Sequence, residues 1–349
     1  MEKHNEKSIG LKAPTINLAS VVTGLDRYLA EKGADPKPVF AQVDLDVADI
    51  EQPDARVPLV SYLELLEKCA DSLDDPLFGL RFGAQYDPRH AGVAGNVALA
   101  SLNVGTALAM VARYLPTIVD SAVYGLEVED ATAFAYTYYY DPILMSYQQK
   151  ADWTVSFCCN IIRRGLGQPD WKPDEVIFHA LPDEPPAVRH ERIKLVGPNL
   201  RSGHAWTGIR FDAELLEAPM QTADATMNRL MMHYGDLRLS SLASGTDELE
   251  PLRRETARLL IQGKQGIDHL AKSSGVSVRT LQRRLGVANV SYSDLLANVR
   301  QTLALNLLEK DGPALTEIAF SLGYSDVSAF NHAFRRWTGV SPGQYRSSR

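Results

Sequence analysis

At 349 residues, 45% of them hydrophobic and without a long biased tract, the chain is large enough for two domains, each with its own core. No stretch reaches the roughly 18 uncharged apolar residues of a membrane span, and Met1-Glu-Lys-His-Asn-Glu-Lys7 lacks a signal-peptide core, so a cytoplasmic protein without a membrane partner is expected. Three cysteines exclude a disulfide framework; a net charge of −7 argues against a nucleic-acid binder until it is divided, because residues 251–349 hold 14 Lys and Arg against 7 Asp and Glu, a net +7, leaving −14 on the remainder.

In chain order, residues 1–14 are expected to be a disordered N-terminus and 15–235 a mixed α+β regulatory domain. Helical periodicity covers Val60–Ser72, Val104–Tyr114 and Lys150–Leu166. The last holds Cys158 and Cys159, which read as small buried hydrophobes. Thr132–Tyr140 alternates as a strand, with Phe134, Tyr136, Tyr138 and Tyr140 on one face. That face is the candidate wall of a small-molecule effector pocket, or else it packs in the core. Further strands are predicted at Glu175–His179 and Gly208–Phe211. His90, His179, His190 and His204 lack metal-ligand spacing, and no nucleotide, phosphate-loop or nucleophile-elbow motif occurs, so neither metal, cofactor nor enzymatic activity is expected. The Ser- and Gly-rich stretch 236–250 reads as an interdomain linker.

Residues 251–349 read as all helix, and they contain a repeat. Leu270-Ala-Lys-Ser-Ser-Gly-Val-Ser277 returns 48 residues later as Ile318-Ala-Phe-Ser-Leu-Gly-Tyr-Ser325. The alanines allow close helix packing, Gly275 and Gly323 supply the left-handed turn, and Ser277 and Ser325 or Asp326 cap the next helix. This predicts two helix-turn-helix units, about 267–286 and 315–338, joined by one long helix over Ser293–Lys310. In the first second-helix, from about Val278 to Leu285, Leu281 and Leu285 point inward; Arg279, Gln282 and Arg283 share the outer face as candidate base readers, with Thr280 and Arg284 toward phosphate. In the second, Phe330, Phe334 and Trp337 point inward; Val327, Ser328, Asn331 and His332 are candidate base contacts, and Arg335 and Arg336 candidate phosphate clamps. A rigid connector would set the two helices in successive major grooves, about 34 Å apart.

The run Ser277-Val-Arg-Thr-Leu-Gln-Arg-Arg-Leu285 and the stretch from Leu315 through Val340-Ser-Pro-Gly-Gln-Tyr-Arg346 closely resemble the AraC/XylS family of transcription regulators. Asn289 stands where that family usually has Gly. Ala55-Arg-Val-Pro58, Asp75-Pro-Leu-Phe-Gly-Leu-Arg-Phe-Gly83, Ala91-Gly-Val-Ala-Gly95 and Trp171-Lys-Pro-Asp-Glu-Val176 resemble the branch with an arabinose-binding-like effector domain, whose members answer to varied small molecules. The resemblance implies promoter double-stranded DNA and RNA polymerase as partners, activation, and a homodimer as a possible state. A ligand-independent dimeric DNA-binding protein, repressor or architectural, is the alternative reading.

Overall fold

The computed structural model describes residues 14–347 except 53, 140–141, 205, 244–248, 262, 289 and 309–313. Residues 1–13 of the expected disordered N-terminus, Tyr140 and Asn289 lie outside the described residues.

Strands β1 (Thr15–Asn17) and β2 (Arg56–Pro58) pair antiparallel around helices α1 (Ala19–Val22), α2 (Leu25–Glu31) and α3 (Pro36–Ala41). Asp120 ties them to the body: its carboxylate accepts from Arg56 Nη2 and from the Thr15 hydroxyl, both at 2.5 Å. Four helices follow: α4 (Leu59–Leu73), α5 (Phe78–Gln85), α6 (Gly92–Leu99) and α7 (Val104–Tyr114). The first extends the predicted Val60–Ser72 by one residue at each end, and α7 keeps its predicted bounds because Asn103 caps it, accepting from Thr106 N at 2.8 Å.

A five-stranded sheet comprises β3 (Ala122–Glu129), β4 (Thr132–Tyr139), β5 (Glu175–Ile177), β6 (Leu200–Arg201) and β7 (Thr207–Asp212), ordered β3-β4-β7-β5-β6. All neighbours are antiparallel except β5 and β6. The third strand ends before the predicted His179 because the backbone of that residue leaves the ladder and donates to Thr207 Oγ1 at 3.1 Å. Helix α8 (Gln148–Leu166) is buried on nearly every side. It meets α5 so closely that a Cβ on Gly79 would lie 2.1 Å from the Gln149 carbonyl oxygen. Helix α9 (Pro186–Val196) inserts the buried Arg192, which pairs with Asp152 of α8 and with Glu184 at 3.0 Å.

Helix α10 (Ala225–Ala243) differs from the sequence reading, since it carries helix across 236–243, the first part of the expected linker. Gly235 packs against Tyr114 and Val93, Asp236 accepts from the Tyr114 hydroxyl at 2.9 Å, and the Ser240 hydroxyl satisfies the Asp236 carbonyl at 2.8 Å. Leu237, Arg238, Leu239, Leu242 and Ala243 are good helix formers, and the contacts of Gly235 and Asp236 with Tyr114 anchor the helix on the first domain.

The C-terminal part is helical: α11 (Glu250–Ile261), α12 (Ile267–Ser273), α13 (Val278–Val287), α14 (Tyr292–Leu307), α15 (Leu315–Ser321), α16 (Val327–Thr338) and α17 (Pro342–Ser347). The connector α14 starts on a capping box between Ser291 and Asp294, one residue before the predicted start, and its helix ends at Leu307, short of the predicted Lys310, which lies outside the described residues. It packs on the single turn Pro142–Met145 of the first domain while α11 touches β3, so one buried cluster runs from Tyr139, Leu144 and Met145 to Val299, Leu303 and Leu307. The two-domain architecture, α/β followed by all-α with two helix-turn-helix units, is as the sequence predicts.

Candidate nucleic-acid interface

The two repeats fold into the same turn. Gly275 and Gly323 have φ of +67° and +70°. The next N–H reaches back to the alanine carbonyl of each repeat, Val276 to Ala271 at 3.0 Å and Tyr324 to Ala319 at 2.9 Å. The following helices are capped, α13 by Ser277 Oγ, which accepts from Thr280 N at 3.2 Å, and α16 by Asp326, which accepts from Ala329 N at 2.8 Å. That N–H, helped by the Ser325 hydroxyl, holds the Asp326 carboxyl below its ordinary pKa. Of the two caps offered by the second repeat, Asp326 takes the role and Ser325 supports it.

On α13, Leu281 and Leu285 are buried while Arg279, Gln282, Arg283 and Arg284 are exposed. Thr280 is half-buried, its hydroxyl 2.9 Å from that of Ser277. On α16, Phe330 and Phe334 are buried and Trp337 packs against them; Ser328, His332, Arg335 and Arg336 are exposed, Val327 and Asn331 half-buried. Helical periodicity thus places Arg279, Gln282, Arg283, Arg284, Ser328, His332, Arg335 and Arg336 on exposed faces, whereas Asn331, expected to be exposed, is half-buried.

Sequence reasoning missed what binds the two units together. Arg300, midway along α14, donates to the carbonyls of Leu322 at 2.9 Å and Gly323 at 3.1 Å, and to Gln265 Oε1 at 2.6 Å. Its guanidinium lies 4.6 Å from the Tyr324 ring centre. Gln265 Nε2 also donates to the Gly323 carbonyl, at 3.3 Å. One cation therefore fastens the turn of the second unit to the segment entering the first. Its signal was an arginine interrupting the apolar stripe between Leu296 and Leu303.

In the first domain, the described residues of the predicted aromatic face pack against other side chains. The Phe134 ring lies under the Arg210 guanidinium at 4.3 Å; Tyr136 is buried, stacks on the buried Tyr138, meets Trp206 with ring centres 5.4 Å apart, and donates its hydroxyl to Glu127. The opposite face of β4, Thr137 and Tyr139 beside Tyr124 of β3, borders an internal cavity of about 50 Å³ against α8. Of that face, Thr137 and Tyr139 line the cavity. Cys158 lines it as a neutral thiol, burial pushing its pKa up to about 11 and that of Cys159 to about 12, in keeping with their reading as small buried side chains.

Comparison with known proteins agrees with this architecture. Residues 33–220 match the family described as the arabinose-binding domain of AraC transcription regulator, N-terminal, and 270–348 match a helix-turn-helix domain. The chain is 31% identical over 339 residues to the HTH-type transcriptional regulator VirS of Mycobacterium tuberculosis, covering 94% of this chain and 96% of that protein. It is 25% identical to the ornithine utilization regulator of Pseudomonas aeruginosa, covering 92% and 93%. The crystal structure of transcriptional regulator CdpR from Pseudomonas aeruginosa aligns with 24% identity and a TM-score of 0.38, over 89% of this chain and 97% of that one. With two capped recognition helices on a basic C-terminal part and these matches along nearly its whole length, the chain belongs to the AraC family of DNA-binding transcription regulators.

Proposed function

We propose that the protein activates transcription in the cytoplasm by binding promoter DNA through α13 and α16 and recruiting RNA polymerase, under the control of a small molecule held in the first domain. The regulatory part extends through α10 to Ala243, and residues 251–349 form the DNA-binding part. The observation that carries this reading is the pair of exposed Arg-, Gln- and His-bearing faces, each behind the same capped turn, in the net +7 segment. Arg279, Gln282, Arg283, Val327, Ser328, Asn331 and His332 read base edges, while Thr280, Arg284, Arg335 and Arg336 hold phosphates. Met227, Leu230, Tyr234 and Leu237, exposed at alternating three- and four-residue spacing along α10, support a homodimer formed on that stripe.

Two substitutions test the division of labour. Arg283→Ala should relax preference at one base position at a cost of about 1–3 kcal/mol. Arg336→Ala should weaken all sequences alike and lower the salt slope of binding by about 1. Equal losses on every sequence for both, read by fluorescence anisotropy over a salt series, would remove Arg283 from the base readers.

A further inference from the structure

The cavity beneath β4 is apolar except at one point. Among its described lining residues Lys150 is the only charged one, and it is 8% exposed. Its ammonium donates to Thr154 Oγ1 at 2.5 Å and sits 4.7 Å from the Trp153 ring centre and 6.0 Å from that of Tyr139. No carboxylate among the described residues pairs with it. An ammonium has three protons to donate, and one neutral oxygen and two rings do not repay its loss of water. An uncharged side chain of that length would avoid this loss, so an ammonium kept at the cavity fits an anionic ligand.

We propose that this cavity binds an aliphatic carboxylate, its head group held by Lys150 and Thr154 and its chain lying against Trp153, Phe157 and Tyr139; the assignment rests on the effector-controlled reading above. The class follows from what the walls lack. A phosphate dianion would need several donors where one cation stands. A free amino acid would bring a second ammonium into a space without an acidic group to receive it.

The inner cavity, about 50 Å³, takes the head and first carbons. Leu115, Ala122 and Tyr124 separate it from a crevice of about 260 Å³, whose far wall includes Glu255 of α11. A longer chain would press on that partition and so on the DNA-binding part. Tyr139, on the other side, donates its backbone N–H to Met145 Sδ at 3.3 Å, within the turn that packs on α14. Two contacts between the domains therefore adjoin this cavity.

The test uses the full chain with sodium butanoate, hexanoate and octanoate, and with hexanamide as the uncharged counterpart. At least one carboxylate should raise Tm by about 3 °C or more at saturation, with hexanamide giving a smaller shift. Lys150→Met, which keeps length and removes charge, should abolish the preference for carboxylate over amide. Burial holds the Lys150 pKa down to about 7, whereas Cys158 of α8, Tyr124 of β3 and Tyr139 of β4 are all raised and stay neutral. Carboxylate affinity should therefore fall as pH rises above 7, by at most about tenfold per unit. No shift with any of the three carboxylates, equal shifts with acid and amide, or an unchanged response in Lys150→Met overturns the proposal; should that variant not fold, the acid and amide pair on the wild type decides. Promoter-DNA binding measured alongside separates the two readings. Lys150-dependent binding without change in DNA affinity keeps the site and removes effector control through it; DNA affinity altered by a different ligand while every carboxylate fails removes the site and keeps the control.

Discussion

Lys150 costs the folded protein stability whenever pH would charge it. Its pKa is lowered from 10.5 to about 7 by burial, so between those values the unfolded chain binds more protons than the folded one and stability rises with pH across that window. Lys150→Met should raise Tm at pH 7, and its advantage over the wild type should shrink toward pH 10.5; an advantage independent of pH in calorimetry would contradict the buried-charge account. Asp87 has the opposite sign. Hydrogen bonds from Arg89, with Arg164 nearby, hold its carboxyl down to about 2, so its contribution is present above the ordinary carboxylate value of 3.8 and is lost as pH falls toward 2. Asp87→Asn should remove that part of acid unfolding between pH 4 and 2 when compared with the wild type in pH titrations followed by circular dichroism. At this scale the outer faces of α13 and α16 were legible, because Leu281 and Leu285 or Phe330 and Phe334 fix the inner side of a helix and therefore the outer one. Lys150 was not, since lysine on a helix ordinarily reads as solvated surface, and α8 buries even Asp152, Ser156 and Asn160, which leaves no polar side to mark its orientation.

At the scale of elements, the two helix-turn-helix turns offer an internal comparison. A Cβ on Gly275 would meet nothing within 4 Å, so Gly275→Ala should cost only the left-handed backbone penalty, about 1–2 kcal/mol. A Cβ on Gly323 would lie 1.7 Å from Gln265 Nε2, which must then leave the Gly323 carbonyl. Gly323→Ala should therefore destabilise by about 1 kcal/mol more than Gly275→Ala in urea unfolding, and Gln265→Ala should erase the difference. Those turns were readable because glycine, alanine and cap recur at fixed offsets. The sheet order was not: β5 and β6, of three and two residues, are too short to show a period, and distant partners define them. For β4 the alternation was correct: large rings fill one side of the sheet, and Thr137 and Tyr139 on the other border the cavity.

The molecule as a whole joins an acidic first part to a basic second one through α11 and α14, and a continuous buried cluster crosses the join. Unfolding should be a single calorimetric transition. Leu144 is 1% exposed in the turn facing α14, so Leu144→Asp should weaken the join and split the melt into two. Division into two units was legible from charge and from the repeat. How they touch was not, because Leu144 and Met145 belong to a turn too short to carry a pattern.

The guanidinium of Arg300 makes one unit of two dissimilar helix-turn-helix motifs, and that has a consequence for the DNA sites such a unit would choose. A lone subunit would cover an operator with a head and a tail, with no inverted symmetry inside it, so the site points one way along the chromosome. Flipping such a site would turn the bound protein's upstream flank toward the start of transcription. Inserting five base pairs between its two halves would swing one of them to the far side of the double helix, about half a turn away, where a fixed brace cannot follow.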